Sequence, residues 1–207
     1  MERRDRDARA REIEVAAYIL LEEQAFARVG MQAIARAARA SNQTLYRWYG
    51  DKIGLFRALI VRNAAQVREV LEDAQAHGVC GCALLRVIGP ALLGMLLGER
   101  AAALNRAAAA DTSGVLGHAL AELGRNAFVP RIGQIMAEAQ AAGELAEQRD
   151  GACVAPDELA EMWLALLIGD LQARRVIGAI APLGADEVAR RSEVALDCLT
   201  RLYPPQG

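Results

Sequence analysis

Residues 41–52 read SNQTLYRWYGDK, and their reading decides the fold. They hold Ser41, Asn42, Gln43, Thr44, Arg47, the aromatics Tyr46, Trp48 and Tyr49, and Lys52, the single lysine of a chain that is only 4% aromatic. Ser41 is a good N-cap, and a helix begun there turns Leu45 and one of Tyr46 or Tyr49 inward. Asn42, Gln43 and Arg47 are left on the outer face. Just upstream, MQAIARAAR (31–39) predicts another short helix, entered through Gly30 and burying Met31, Ile34 and Ala38. A very tight turn through Arg39 joins the two. Downstream, Asp51 caps the run DKIGLFRALIVRNAAQVREVLEDAQA (51–76), whose apolar positions Ile53, Leu55, Phe56, Leu59, Ile60, Val67, Val70 and Leu71 predict one long connecting helix. Ile13, Ala16, Ala17, Leu20, Leu21 and Phe26 predict a first helix over 7–28, ended at Gly30.

A short helix, a tight turn and a second short helix with a polar outer face make a helix-turn-helix. In that arrangement the second helix enters the major groove of double-stranded DNA. Asn42, Gln43 and Arg47 can then hydrogen-bond base edges, while Thr44, Tyr46 and Lys52 hold phosphates. The stretch IARAARASNQTLYRWYGDKIGLF (34–56) resembles the DNA-binding signature of the TetR family of bacterial transcriptional repressors, at Ile34, Ala35, Ser41, Thr44, Leu45, Tyr46, Tyr49, Lys52 and Leu55. The resemblance implies phosphate contacts from Thr44, Tyr46 and Lys52, packing by Leu45 and Tyr49, and a groove face of Asn42, Gln43, Arg47 and Trp48. Three positions depart from the family pattern: Arg39 stands where a turn glycine is common, Ala25 replaces a glycine before Phe26, and Gly30 replaces a capping threonine. A positive φ at Arg39 costs roughly 1 kcal/mol, partly offset by a cation near DNA. Gly30 leaves its amides free for a phosphate. Trp48 either packs on the first helix or touches DNA. Arg3, Arg4 and Arg6 form either an arm toward DNA or a charged terminus without fixed structure.

The 207-residue chain is 54% hydrophobic, yet it has no apolar run of the roughly eighteen residues that a membrane span needs. The mixed-charge N-terminus, MERRDRDARAREIE, does not read as a secretory signal, so a cytoplasmic protein without a membrane partner is expected. Four irregularly spaced cysteines, Cys80, Cys82, Cys153 and Cys198, predict no structural disulfide. Basic residues outnumber acidic ones by 12 to 8 over residues 1–62 and fall behind by 12 to 18 beyond, although the net charge is only -2. Such a chain meets a polyanion with its first part. Alanine, leucine, arginine and glutamate dominate, and no period-two run with hairpin signals occurs. The expected fold is all-α: a helix-turn-helix domain over 1–51, a connecting helix over 52–78 and a helical domain over 79–207.

By resemblance, that last domain dimerises and binds a small effector. VCGCALLRVIGPALLGMLLG (79–98) is an apolar helix in which Pro90 predicts a kink or a fresh start. A short helix to Ala110, a break at DTSG and a longer helix to Ala142, interrupted at Pro130, follow. Residues 143–155 form a polar loop. Pro156 then starts a helix along PDELAEMWLALLIGDLQARRVIG (156–178) with a wide apolar face reaching Leu171, and a last amphipathic helix begins near Ala185. Leu159, Met162, Leu166, Leu199 and Leu202 are the expected contacts with a second copy, and the alternative is a monomeric core. Polar residues on apolar helices supply effector candidates: Asn105, Arg106, His118, Asn126, Trp163, Asp170 and Gln172. Composition and resemblance point to an apolar or aromatic effector.

No enzyme is expected. His77 and His118 are the only histidines, Ser113 and Ser192 lack a nucleophile-elbow context, and no glycine-rich phosphate loop follows a strand. No cofactor or metal is assigned. The alternatives are an activator, or a thiol- or metal-responsive regulator using HGVCGC (77–82) and Cys153, on the same scaffold, or a helical carrier of hydrophobic molecules without DNA binding. In the main reading, an effector shifts the body and changes the spacing of the two heads on a palindromic operator.

Overall fold

The computed structural model describes residues 3–24, 26–149 and 151–205, without the side chains of Arg3, Arg4 and Ala27. The fold is all-α. Its helices are α1 (Arg3–Glu23), α2 (Met31–Ala37), α3 (Asn42–Tyr49), α4 (Lys52–Asn63), α5 (Ala65–Ala76), α6 (Gly81–Leu97), α7 (Glu99–Ala109), α8 (Val115–Leu120), α9 (Asn126–Ala141), α10 (Pro156–Ile168), α11 (Leu171–Val176) and α12 (Ala185–Leu202). Two compact units emerge. One joins the chain up to Asn63 with Arg100–Leu123, and the other joins Ala64–Glu99 with Gly124 onward. The units are therefore drawn differently from the expected segments 1–51, 52–78 and 79–207.

The first unit is built around Ile13, Ala17, Ile34, Leu45, Leu55, Phe56 and Leu59, with Leu104 and Leu116 completing the core from α7 and α8. α1 stops earlier than the periodicity predicts, and Phe26–Arg28 form a separate turn of 3-10 helix. The Phe26 ring sets that geometry by meeting Phe56 edge-on, with centroids 5.4 Å apart. Two polar groups are buried with the apolar ones. The Tyr18 hydroxyl donates to the Leu59 carbonyl at 3.2 Å, and the Glu14 carboxylate pairs with Arg62 at 3.2 Å.

The predicted helix over 51–76 is two helices that part at Ala64. The apolar stripe changes partners there: Leu55, Phe56, Leu59 and Ile60 enter the first core, whereas Val67, Leu71 and Ala74 enter the second. That second core gathers Leu84, Leu85, Leu93, Met136, Leu159, Trp163, Leu167 and Leu199 from α6, α9, α10 and α12. α6 continues through Pro90, and the carbonyl that the ring leaves unpaired belongs to Arg86, an exposed residue that water can reach. At Gly89 a Cβ would stand 2.0 Å from the Ser192 hydroxyl, so the crossing of α6 and α12 depends on a bare backbone. Ahead of Pro130, Ala121–Arg125 widen into a π turn, a common accommodation where the regular bonding ladder is interrupted.

Two further expectations need amendment. The polar loop contains a minimal antiparallel ladder, with Gln148 opposite Cys153 and Arg149 opposite Ala152. The buried Gln140 amide donates to the Ala146 carbonyl at 2.9 Å and to the Val154 carbonyl at 3.0 Å, pinning both ends of this hairpin. The helix begun at Pro156 ends at Ile168, because Gly169 takes φ 52° and donates back to Ala165. α11 follows as a separate segment. Its Arg175 is buried, donating to the Leu97 carbonyl at 3.0 Å and pairing with Glu99.

Burial raises the Glu14 carboxyl above its ordinary 4.5, and the Arg62 guanidinium pulls it only part of the way back. The folded state then holds this proton to higher pH than the unfolded chain does. Stability falls as pH rises from about 4.5 to the folded value, and is flat beyond it for this group. Glu14→Gln is expected to make the slope of melting temperature against pH less negative in that window; an unchanged slope would show that Glu14 is not the source.

Candidate nucleic-acid interface

α3 is a helix of eight residues, too short to persist unaided. Leu45 anchors it with no exposed surface. At its start the Ser41 hydroxyl accepts from the Thr44 amide at 3.0 Å and shares a hydrogen bond with the Thr44 hydroxyl at 2.9 Å. α2 ends in a Schellman motif: the Ala40 amide donates to Ala35 at 2.8 Å and the Arg39 amide to Arg36 at 3.1 Å. Arg39 sits at φ 51°, the one positive-φ residue other than glycine among the described residues. Its carbonyl accepts a hydrogen bond from Arg9 of α1. Nothing in the sequence distinguishes Arg9 from the other arginines of a charged N-terminus.

This scaffold turns Asn42, Gln43, Tyr46 and Arg47 outward beside the half-exposed Thr44. Tyr46 is 51% exposed, which settles the inward aromatic as Tyr49. The Tyr49 hydroxyl is buried without an acceptor among the described residues, and burial, aided by the nearby Glu14 charge, pushes it up to about 12. Trp48 packs partly against the core, with the Arg6 guanidinium 5.5 Å from its ring centre. Arg6 lies within α1, whereas the side chains of Arg3 and Arg4, and all of Ala25, lie outside the described residues. Gly30 caps α2 with extended backbone, and a Cβ there would meet nothing within 4 Å.

Lys52 is placed differently from the other expected phosphate contacts. Its ammonium donates to the Phe26 carbonyl at 2.8 Å and lies 4.2 Å from the centre of the Phe26 ring. It lines a cleft of about 340 Å³ with Phe26, Ile53, Ala107 and Asp111. Desolvation lowers its pKa, and the Asp111 charge opposes that shift. The elbow between α3 and α4 is tight. Gly50 has φ 75°, Asp51 accepts from the Gly54 amide at 2.7 Å, and a Cβ on Gly54 would stand 1.9 Å from the Tyr49 carbonyl oxygen.

The expected effector residues are divided between the two units. Asn105, Arg106 and His118 belong to the first unit, whereas Asn126, Trp163 and Asp170 belong to the second. Asn105 donates to Ala101 in its own helix at 2.8 Å, Asp170 lies 3.8 Å from Arg174, and Arg106, His118 and Asn126 are exposed. Periodicity places a polar residue on a helix but not the direction of its neighbours. Trp163 differs: it is fully buried, and its indole N–H has no acceptor among the described residues. Two expected dimer contacts also need correction. Leu159 and Leu199 are wholly buried in the chain's own second core and offer no surface to a partner. Met162 and Leu166 are half-buried, and Leu202 is 39% exposed.

The cysteines are all free thiols. Burial, with the Glu144 carboxylate adding to it, pushes Cys82 up to about 12, the opposite of what a reactive thiolate needs. His77 turns back to the Asp73 carbonyl at 2.8 Å. Among the described residues no three ligating side chains come together around one point.

Residues 13–59 match the model of the bacterial regulatory proteins of the tetR family, and residues 83–205 match that of the C-terminal domain of AefR-like transcriptional repressors. The chain belongs to the TetR family. Members of the TetR family are DNA-binding transcriptional regulators, and the proteins that this chain resembles are regulators rather than enzymes. Solved TetR-type structures cover nearly all of it. A TetR-family transcriptional regulator from Mesorhizobium loti superposes with a TM-score of 0.73 at 22% identity, over 98% of this chain and 99% of that one. The flavonoid-responsive regulator FrrA gives 0.67 at 26% identity, over 97% and 100%. SmeT of Stenotrophomonas maltophilia, in complex with triclosan, gives 0.73 at 22% identity, over 97% and 93%. No curated protein matches the chain. No single helix among the described residues of this TetR-family protein is long and apolar enough to cross a membrane.

Gly54→Ala is expected to destabilise the first unit, because the Tyr49 carbonyl and the α4 backbone must separate. A loss of about 1–3 kcal/mol in chemical unfolding is expected, as for other overpacked sites. Parent-like stability would mean that the elbow yields freely.

Proposed function

We propose that this TetR-family regulator is a repressor that binds a palindromic operator as a homodimer and leaves it when an aromatic effector enters the second unit. One observation carries the DNA side: the outer face of α3 holds Asn42, Gln43, Tyr46 and Arg47 on a helix whose inner side is fixed by Leu45. In this reading Asn42, Gln43 and Arg47 contact base edges, and Thr44, Tyr46, Ser41, Arg39 and the amides after Gly30 contact phosphates. Lys52, whose ammonium has three donors and also holds the Phe26 carbonyl, joins them. Trp48 lies at the edge of the same surface.

Dimerisation is assigned to the outward stripe of α12 at Val194, Cys198 and Leu202, supported by Val194 at 46% and Leu202 at 39% exposure and by the spacing of four residues between consecutive members of the stripe. Met162 and Leu166 extend that stripe from α10. For the effector, the buried Trp163 N–H supplies a donor that a ligand oxygen can satisfy. An aromatic class is supported by the flavonoid-responsive FrrA and by the SmeT complex with triclosan. Release follows if the effector binds the DNA-incompetent arrangement more tightly than the competent one.

Selection from random-sequence duplexes is expected to return a palindrome. Arg47→Ala should relax one position at a cost of about 1–3 kcal/mol, whereas Lys52→Ala weakens all sequences alike. Val194→Arg should leave a monomer in sedimentation and abolish the preference for paired half-sites. Recovery of no motif from the parent protein would move the carrier reading ahead.

With a selected duplex in hand, triclosan and a flavonoid are the probes for release. Trp163→Phe, which removes only the N–H and part of the ring, is expected to raise the releasing concentration of the effective probe roughly tenfold. Release at parent concentrations, or by neither probe, removes Trp163 or the aromatic class from the reading.

A further inference from the structure

We infer that Arg9 is a positioning residue for DNA binding, a clamp on the Arg39 carbonyl that holds the left-handed turn between α2 and α3. This rests on the regulator reading above, because the turn acts through what α3 contacts. Arg39 lies at φ 51°, where a Cβ crowds its own carbonyl, so the conformation persists only when its surroundings over-determine it. The Schellman bonds hold two amides of the turn, those of Arg39 and Ala40. They leave the Arg39 carbonyl, and Arg9 Nη2 donates to that oxygen. The guanidinium is itself oriented, since Nη1 pairs with Glu12 within α1. α1 is in turn fixed in the core by Ile13, Ala16 and Ala17.

The turn is thus held from inside by its own amides and from outside by a charged donor on a different helix. Guanidinium-to-carbonyl bonds are stronger than neutral ones. Because the α3 cap at Ser41 lies only two residues beyond Arg39, any relaxation at Arg39 redirects the whole outer face of α3. Glycine populates the left-handed region without help. Arg9 and Arg39 therefore form a coupled pair, in which the clamp matters because the turn residue is not glycine.

The test compares the full-length parent, Arg9→Ala, Arg39→Gly and the double variant for binding to the selected duplex and to a random duplex over a series of salt concentrations. Hydrogen exchange of the Ala40 amide is followed in the DNA-free proteins. Arg9→Ala is expected to lose roughly tenfold in affinity for the selected duplex, with little loss for the random one and an unchanged salt slope. In the Arg39→Gly background the same substitution should cost less than about twofold. The Ala40 amide should exchange faster in Arg9→Ala and regain protection in the double variant. Equal weakening of both duplexes with a salt slope smaller by about 0.9 would make Arg9 a phosphate contact and overturn the clamp. An undiminished loss in the Arg39→Gly background, or parent-like affinity in Arg9→Ala, would overturn it too. If the parent selects no duplex, the regulator reading fails first. The Ala40 amide then decides the clamp alone: parent-like exchange in Arg9→Ala overturns it, and faster exchange reversed by Arg39→Gly upholds it.

Discussion

An eight-residue helix cannot hold itself together in water, and α3 is such a helix. Leu45 therefore carries the first unit's central constraint, because its burial keeps the recognition helix seated. The neighbouring devices bear on that seat: the Ser41 cap, the Schellman turn, the Gly50–Gly54 elbow and the Arg9 bond to the Arg39 carbonyl. None of them uses an outward side chain of α3. The outer face is thereby relieved of structural duty, and its residues can be chosen for what they touch.

Polar groups placed inside the two cores serve as fasteners rather than as isolated charges. Arg175 takes the terminal carbonyl of α6, and Gln140 bridges the two ends of the short hairpin. Glu14 has Arg62, and Tyr18 has the Leu59 carbonyl. Each satisfies a group whose desolvation would otherwise cost about 1–3 kcal/mol. Trp163 and Tyr49 break the pattern, since the indole N–H and the phenol hydroxyl are each buried without a partner among the described residues.

The helix-turn-helix was legible because its signals are local: a serine cap, a leucine four residues on, and aromatics at helical spacing. The same locality explains the errors beyond it. The run over 51–76 carries an unbroken helical pattern, and only the change of core at Ala64 divides it. Leu159 and Leu199 sit on amphipathic helices that a linear pattern cannot distinguish from an interface, yet both fill the chain's own core. Arg9 joins Arg39 across thirty positions, a pairing with no periodic trace. Lys52 fits the DNA-binding signature by position, while its contact with the Phe26 carbonyl depends on a 3-10 turn hidden inside a helical pattern.

The first unit is discontinuous in sequence, with Arg100–Leu123 returning to a core begun before Asn63. Leu104 and Leu116 are both buried there. A fragment cut at Asn63 would carry the whole helix-turn-helix and still lack part of the wall that seals it. During synthesis that wall is completed only after α5 and α6 have been made. Exchange of DNA-binding heads between relatives would have to carry this later segment along, which ties the head's packing to a stretch of chain outside the helix-turn-helix.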